Sequence, residues 1–258
     1  VRDMKKILVV GAACVLLTSL LISCTTKNVA EQKAQAEASR NLGEAYLGKG
    51  QFRAALKEFL KAEKLYADDY LLQDDLGLAY YYLEEQDQAI RHFKQALALK
   101  DDYAWARNHL GNAYAKKEEW DKAIKEYKIV ISDLLYATPQ FPLSNIGYAY
   151  YKKKEYGLSQ RYYLKALKVE PDFVKALYGL GQTYLAMGKV SEGIAKLEKT
   201  TTLSPESEFL YFELARAYAR NRDYAKALSA YHKVVELNPG STLADRALIE
   251  ARDIANQQ

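Results

Sequence analysis

Nucleophilic or metal chemistry in this 258-residue chain would have to run through three histidines, two cysteines and thirty-three acidic side chains, and their spacing narrows it sharply. His92, His109 and His232 stand far apart, at no metal-ligand spacing and with no thiol beside them, so they read as surface or packing residues. No glycine-rich loop offers to cradle a phosphate. The acidic residues gather mainly beside lysines, as in KKEEWDK at 116–122, where opposite charges support an exposed helix. No catalytic residue, metal site or cofactor is expected, and the chain reads as a non-enzymatic protein without a small-molecule substrate. Net charge is +4, of which Arg2, Lys5 and Lys6 against Asp3 supply +2, leaving +2 after Cys24 and no case for nucleic acid as a partner. Cys24 alone stands where chemistry is expected.

Lys5 and Lys6 precede an apolar run from Ile7 to Ile22, too short and too close to the N-terminus for a membrane span. The run ends Leu21-Ile22-Ser23-Cys24, which resembles the bacterial lipobox, with small Ser23 before the cysteine. That resemblance implies a lipoprotein signal peptide over 1–23 and acylation of Cys24, with palmitate-type chains, as the new N-terminus. Cys14 leaves with the signal, so no thiol remains for a disulfide. Several acyl chains, at about 0.8 kcal/mol per buried methylene, hold a protein on a membrane lastingly. Thr25 after the cysteine implies, by the sorting rule of such lipoproteins, the periplasmic face of the outer membrane. Residues 24–35 then read as a polar lipidated tether, with helical character towards its end.

The remainder is periodic. Gly43, Gly77, Gly111, Gly147 and Gly181 are separated by 34, 34, 36 and 34 residues, and Ala215 follows after 34 more. Each is followed three residues later by a tyrosine: Tyr46, Tyr80, Tyr114, Tyr150, Tyr184 and Tyr218. Twelve residues on comes a small side chain (Ala55, Ala89, Ala123, Ser159, Gly193, Ala227), and sixteen on a bulky one (Phe59, Phe93, Tyr127, Tyr163, Leu197, Tyr231). Small columns allow two helices per copy to cross closely, while bulky columns fill the space between copies. Pro171, Pro205 and Pro239 fall at repeat ends, where no helix need continue.

This pattern resembles the tetratricopeptide repeat. The fold expected is all-α: a right-handed superhelical solenoid of six such repeats (36–69, 70–103, 104–137, 140–173, 174–207, 208–241) with a C-terminal capping helix over 242–258. Leu243, Ala247, Leu248, Ala251 and Ile254 would lie on the capping helix's apolar face.

The resemblance also implies where a partner binds. In tetratricopeptide repeats the first helices line a concave groove through positions two, five, nine, twelve and thirteen of each copy. Read onto this chain, those positions give Leu71, Asp74, Leu78, Tyr81 and Tyr82; Trp105, Asn108 and Asn112; Phe141, Tyr148 and Tyr151; Tyr178 and Gln182; and Phe209, Phe212 and Arg216. Such a groove is aromatic and suits an apolar or amphipathic protein segment, because rigid rings bury area at low entropic cost. A clamp for a terminal carboxylate is not expected, since only Asn112, Asn145 and Lys175 stand in its columns.

A lipobox ahead of six repeats resembles the type IV pilus biogenesis lipoproteins, or pilotins, which promote membrane insertion and multimerisation of the secretin pore. Leu135, Tyr136, Pro139, Asn145 and Gly147 match that family at the joint between the third and fourth repeats, where two extra residues enter. The partner so implied is secretin or another pilus or envelope component. The alternative is an envelope scaffold that recruits peptidoglycan hydrolases or proteases.

Overall fold

A computed structural model describes residues 29–256, all of whose regular structure is helical. Cys24, the signal segment and the start of the tether lie outside the described residues. The first helix, α1, runs over 29–48, so the helical text begins seven residues ahead of the first repeat. It is followed by α2 (Phe52–Leu65), α3 (Tyr70–Tyr82), α4 (Gln86–Leu99), α5 (Ala104–Lys116) and α6 (Trp120–Val130). Next come α7 (Gln140–Lys152), α8 (Tyr156–Val169), α9 (Val174–Ala186), α10 (Val190–Leu203), α11 (Glu208–Arg220), α12 (Tyr224–Leu237) and α13 (Thr242–Ala255). Odd-numbered helices open each repeat and even-numbered ones close it. The chain forms two compact units that part after Ala113, within α5.

The tyrosine column does its structural work through its backbone. In every repeat the carbonyl of that tyrosine (Tyr46, Tyr80, Tyr114, Tyr150, Tyr184, Tyr218) accepts from the N–H five residues later, at 2.9–3.0 Å. This closes the first helix in a Schellman turn, which needs one residue of positive φ. That residue is Gly50, Glu84, Glu118, Lys154, Gly188 and Arg222 in turn, with φ from 60° to 77°. Only two copies use glycine, so four carry a side chain in a conformation that costs about 1 kcal/mol.

The glycine column has a different role from the one its spacing suggests. A methyl group on Gly43 would collide with the ring of Phe59, and one on Gly77 with the ring of Phe93, so each glycine is a notch for the bulky residue sixteen places on. In the fifth repeat the two backbones meet as expected: a methyl on Gly181 would lie 3.2 Å from the carbonyl oxygen of Gly193. The bulky column thus packs first into the notch of its own repeat, and Tyr163 also reaches Gly179 of the next, the place between copies that the sequence assigns to this column. Phe59, Phe93, Tyr127, Tyr163, Leu197 and Tyr231 are all buried.

The joint before α7 is longer than the two inserted residues. Four residues separate α2 from α3 and α4 from α5, whereas nine, 131–139, separate α6 from α7. Helix α6 stops early, at the β-branched pair Val130-Ile131, and Ser132 caps it by donating from Oγ to the carbonyl of Ile129 at 2.7 Å. Asp133 then accepts from the N–H of Leu135 at 2.9 Å, starting a turn. Tyr136 is buried, and the turn leaves Leu134 and Leu135 exposed at 96% and 92%. Pro139 stands at the N-cap of α7 and Pro142 lies buried in its first turn, where a missing N–H costs nothing.

Helix α13 buries Ala244, Ala247, Ala251 and Ile254, while Leu248 is exposed. Leu248 was expected on the apolar face. It stands 34 residues after Leu214, in a column that is buried at Leu76, Leu110, Ile146, Leu180 and Leu214 and exposed at Leu42, so the column is covered in the inner repeats and open at both ends.

Candidate protein-binding surface

The exposed large side chains sort by helix. Tyr82, Trp105, Phe141, Tyr148 and Phe209, the exposed aromatics, all lie on odd-numbered helices, whereas the exposed ones on even-numbered helices are the aliphatics Leu99, Ile129, Leu164, Val169 and Leu203. Rings are thus kept on the opening helices, the face the repeat pattern assigns to a partner. Of the residues assigned to the groove, Trp105, Phe141, Tyr148 and Phe209 are exposed, and Leu71, Leu78, Tyr81, Asn112, Tyr151 and Tyr178 are half-buried. Three are corrections, the first being Asp74, which is 4% exposed. Phe212 is 2% exposed, packed edge-on against Tyr231 at 5.7 Å, and belongs to the core. Asn108 is 8% exposed and also lies beneath the surface.

In the unit before Ala113, the fifth position of each opening helix meets the sixth position of the next. Asp74 of α3 accepts from or pairs with His109 Nδ1 of α5 at 2.9 Å. Arg40 of α1 bonds Asp69 at 3.0 Å and Glu44 at 3.2 Å, and lies 4.0 Å from Asp75. Burial, followed by the charges of Glu44 and Asp74, raises the Asp75 carboxyl to about 8, against the single opposing effect of Arg40. Gln73, also buried, accepts through Oε1 from His92 Nδ1 at 2.7 Å, and burial lowers the affinity of His92 for its proton. The sequence reads these histidines as surface or packing residues, and in the structure His92 and His109 each sit in a side-chain hydrogen-bond network.

In the unit after Ala113 the same geometry carries rings. Tyr163 of α8 lies against Gly147 of α7, and its outer ring end occupies the place where a side chain on Gly179 of α9 would sit. It is held deep enough that its phenol is strongly resistant to ionisation, chiefly through burial and secondarily through nearby Tyr148, Tyr151 and Tyr178. Four tyrosines from three helices therefore converge. Glu213 of α11 accepts from Gln182 at 2.6 Å and from Tyr178 at 3.4 Å, and Phe209 leans on Tyr178 with centroids 5.4 Å apart. Beside them a cavity of about 310 Å³ is lined by Tyr151, Gln182, Glu213, Arg216 and Arg220, with Leu185, Ala186 and Ala217 as its apolar wall. Asn145 and Lys175, two of the clamp-column residues, are bonded to one another at 2.7 Å. Column spacing could not reveal Tyr163 or Glu213, because neither belongs to a groove position of the repeat.

Comparison with known proteins bears on the whole of this architecture. Models described as TPR repeat match residues 77–118 and 147–188, and models described as tetratricopeptide repeat match 36–69, 175–207 and 208–241. The chain is a tetratricopeptide-repeat protein. Among solved structures, PilW, described as a widely conserved type IV pilus biogenesis factor, superposes with a TM-score of 0.73 at 21% identity, covering 83% of this chain and 98% of PilW. The pilF protein of Pseudomonas aeruginosa gives 0.71 at 17% identity, covering 85% and 99%. At that identity the likeness speaks to the fold. In sequence, anaphase-promoting complex subunit 3 of Schizosaccharomyces pombe is 30% identical over 98 residues, a stretch that spans 38% of this chain and 15% of that protein. A match to superkiller protein 3 of Saccharomyces cerevisiae spans 7% of its length. Tetratricopeptide repeats form scaffolds for protein interaction, and among the described residues no cluster of three or more His, Cys, Asp or Glu is arranged to hold a metal ion.

Proposed function

We propose that this chain is an envelope lipoprotein, anchored through Cys24 at the periplasmic face of the outer membrane, that assists type IV pilus assembly by holding a segment of the secretin during its localisation and multimerisation. The observation that carries the binding role is the confinement of exposed rings to the opening helices: Trp105, Phe141, Tyr148 and Phe209 stand where a partner can cover them. Exposed aromatics of this kind bury large area for few frozen torsions, the economy of a protein-binding surface. The choice of partner draws on the near-complete coverage of PilW and pilF, and on the residues of the joint, Leu135, Tyr136 and Pro139. Anchoring draws on the lipobox resemblance of Leu21 to Cys24, and among the described residues no helix is long and apolar enough to cross a membrane.

Deletion of the gene should remove heat-stable secretin multimers and surface pili. Normal multimers and pili in the deletion strain would overturn the assignment. Cys24→Ser should leave the repeats folded and release the protein from the membrane fraction.

A further inference from the structure

We infer that the cavity between α9 and α11 seats a carboxylate side chain, Asp or Glu, carried by the bound protein segment. This rests on the reading that the opening helices bind protein, and it adds a charged anchor to a surface otherwise described as aromatic. Arg216 and Arg220 lie one turn apart on α11 and both line the cavity. Arg220 makes no ion pair with any described residue. Arg216 comes no nearer than 3.7 Å to a carboxylate, that of Glu250, and 3.8 Å to Glu213. Glu213, the acid in the lining, is already engaged by Gln182 and Tyr178. Arg216 is held loosely between Glu213 and, outside the lining, Glu250, which leaves Arg220 as the open guanidinium of the cavity and a positive balance within its lining.

Tyr151 adds a phenol at the rim. Its ionisation is disfavoured mainly by burial, with Arg220 acting in the opposite sense, so the phenol remains a donor beside that guanidinium. An arginine fork recognises a planar carboxylate by paired hydrogen bonds, and the apolar wall of Leu185, Ala186 and Ala217 receives the methylene stem. A volume of about 310 Å³ is at the small end of the range for a ligand site, suited to one side chain and not a whole cofactor. Phe209 and Tyr148, exposed on the same unit, suit apolar neighbours of the acidic residue. The occupant is therefore an amphipathic segment with one acidic residue among apolar ones.

The test uses two synthetic peptide amides, acetyl-Leu-Phe-Glu-Leu-Phe and its Gln counterpart, titrated into the protein while the arginine side-chain NMR signals and the binding isotherm are followed. The Glu peptide should bind about tenfold tighter, the worth of one charge-assisted hydrogen bond, and should shift the signals of Arg216 and Arg220. Arg216→Gln and Arg220→Gln should each remove that preference and leave helix content unchanged, whereas Lys199→Gln on α10 should keep it. Equal affinity for both peptides, or a preference that survives both substitutions, overturns the carboxylate seat while the protein-binding reading stands. Equally strong shifts from inorganic phosphate, with no preference between the peptides, overturn it in favour of a general anion site. No binding by either peptide, with Tyr148 and Phe209 signals unmoved, overturns both this inference and the reading it rests on.

Discussion

The fifth position of the opening helices holds Arg40, Asp74 and Asn108 before Ala113, and Ser144, Tyr178 and Phe212 after it. One backbone site thus carries charge and amide in one unit, and a hydroxyl and two rings in the other. The repeat tolerates both because its requirements lie elsewhere, in the Schellman turn and in the notch beneath the bulky column. The consequences differ, however. Buried charge must be neutralised by neighbours and responds to pH, whereas buried rings gain from packing at any pH. Arg40, Glu44, Asp74 and Asp75 form a charged cluster in which the pKa of Asp75 is displaced, while Tyr163 and its neighbours form a packed one.

Removing the central ring of the aromatic unit should have the largest effect. Tyr163→Ala empties the notches of both Gly147 and Gly179, and should cost about 3–5 kcal/mol, at the upper end of the range for a buried aromatic. Phe93→Ala empties the notch of Gly77 and should cost less. Thermal unfolding followed by circular dichroism compares them; equal losses would show that the second notch adds nothing.

Next in size is the pH response of the polar unit. Because the Asp75 carboxyl is raised from 3.8 to about 8, the folded state holds a proton that the unfolded chain has released, so stability falls as pH rises through that window. Asp75→Asn is neutral throughout, and should raise the melting temperature above pH 8 by about 2–4 °C while changing little near about pH 4. An unchanged melting temperature above pH 8 would show that Arg40 compensates the charge fully.

Groove substitutions should act on binding and not on the fold. Tyr148→Ala and Phe209→Ala, at exposed rings, should leave the unfolding curve within about 0.5 kcal/mol of the parent and weaken partner binding several-fold. The smallest effect is expected at the turn: Lys154→Gly relieves a positive φ of 61° and should stabilise by about 0.5–1 kcal/mol, measured by urea unfolding.

The repeat register, the helix pairs and the exposed rings at the second position were legible because each depends on one residue type at a fixed interval. Trp105, Phe141 and Phe209 could be placed by counting alone. Phe212 could not. Its column is buried at Asp74, Asn108, Ser144 and Phe212 and half-buried at Arg40 and Tyr178, and here Tyr231 packs edge-on against Phe212 while Arg246 of the last helix lies over its ring. For Tyr163 the bulky column foretold a place between copies but not the tyrosines that gather around it, because a single repeat's pattern carries no record of its neighbour. The turn residues were hidden because Glu84, Glu118, Lys154 and Arg222 do not look like residues of positive φ. The length of the joint was half legible, since two insertions can be counted and the unwinding of α6 depends on Val130, Ile131 and Ser132 together.

The central claim, that the ring-bearing opening helices are the surface a protein partner covers, is tested most directly by photocrosslinking in cells. A benzophenone side chain placed at Tyr148 or Phe209 should yield an adduct with the secretin, and the same group at Leu164 or Leu203, exposed on closing helices, should yield none. Adducts of equal strength from the closing helices, or none from Tyr148 and Phe209, would contradict it.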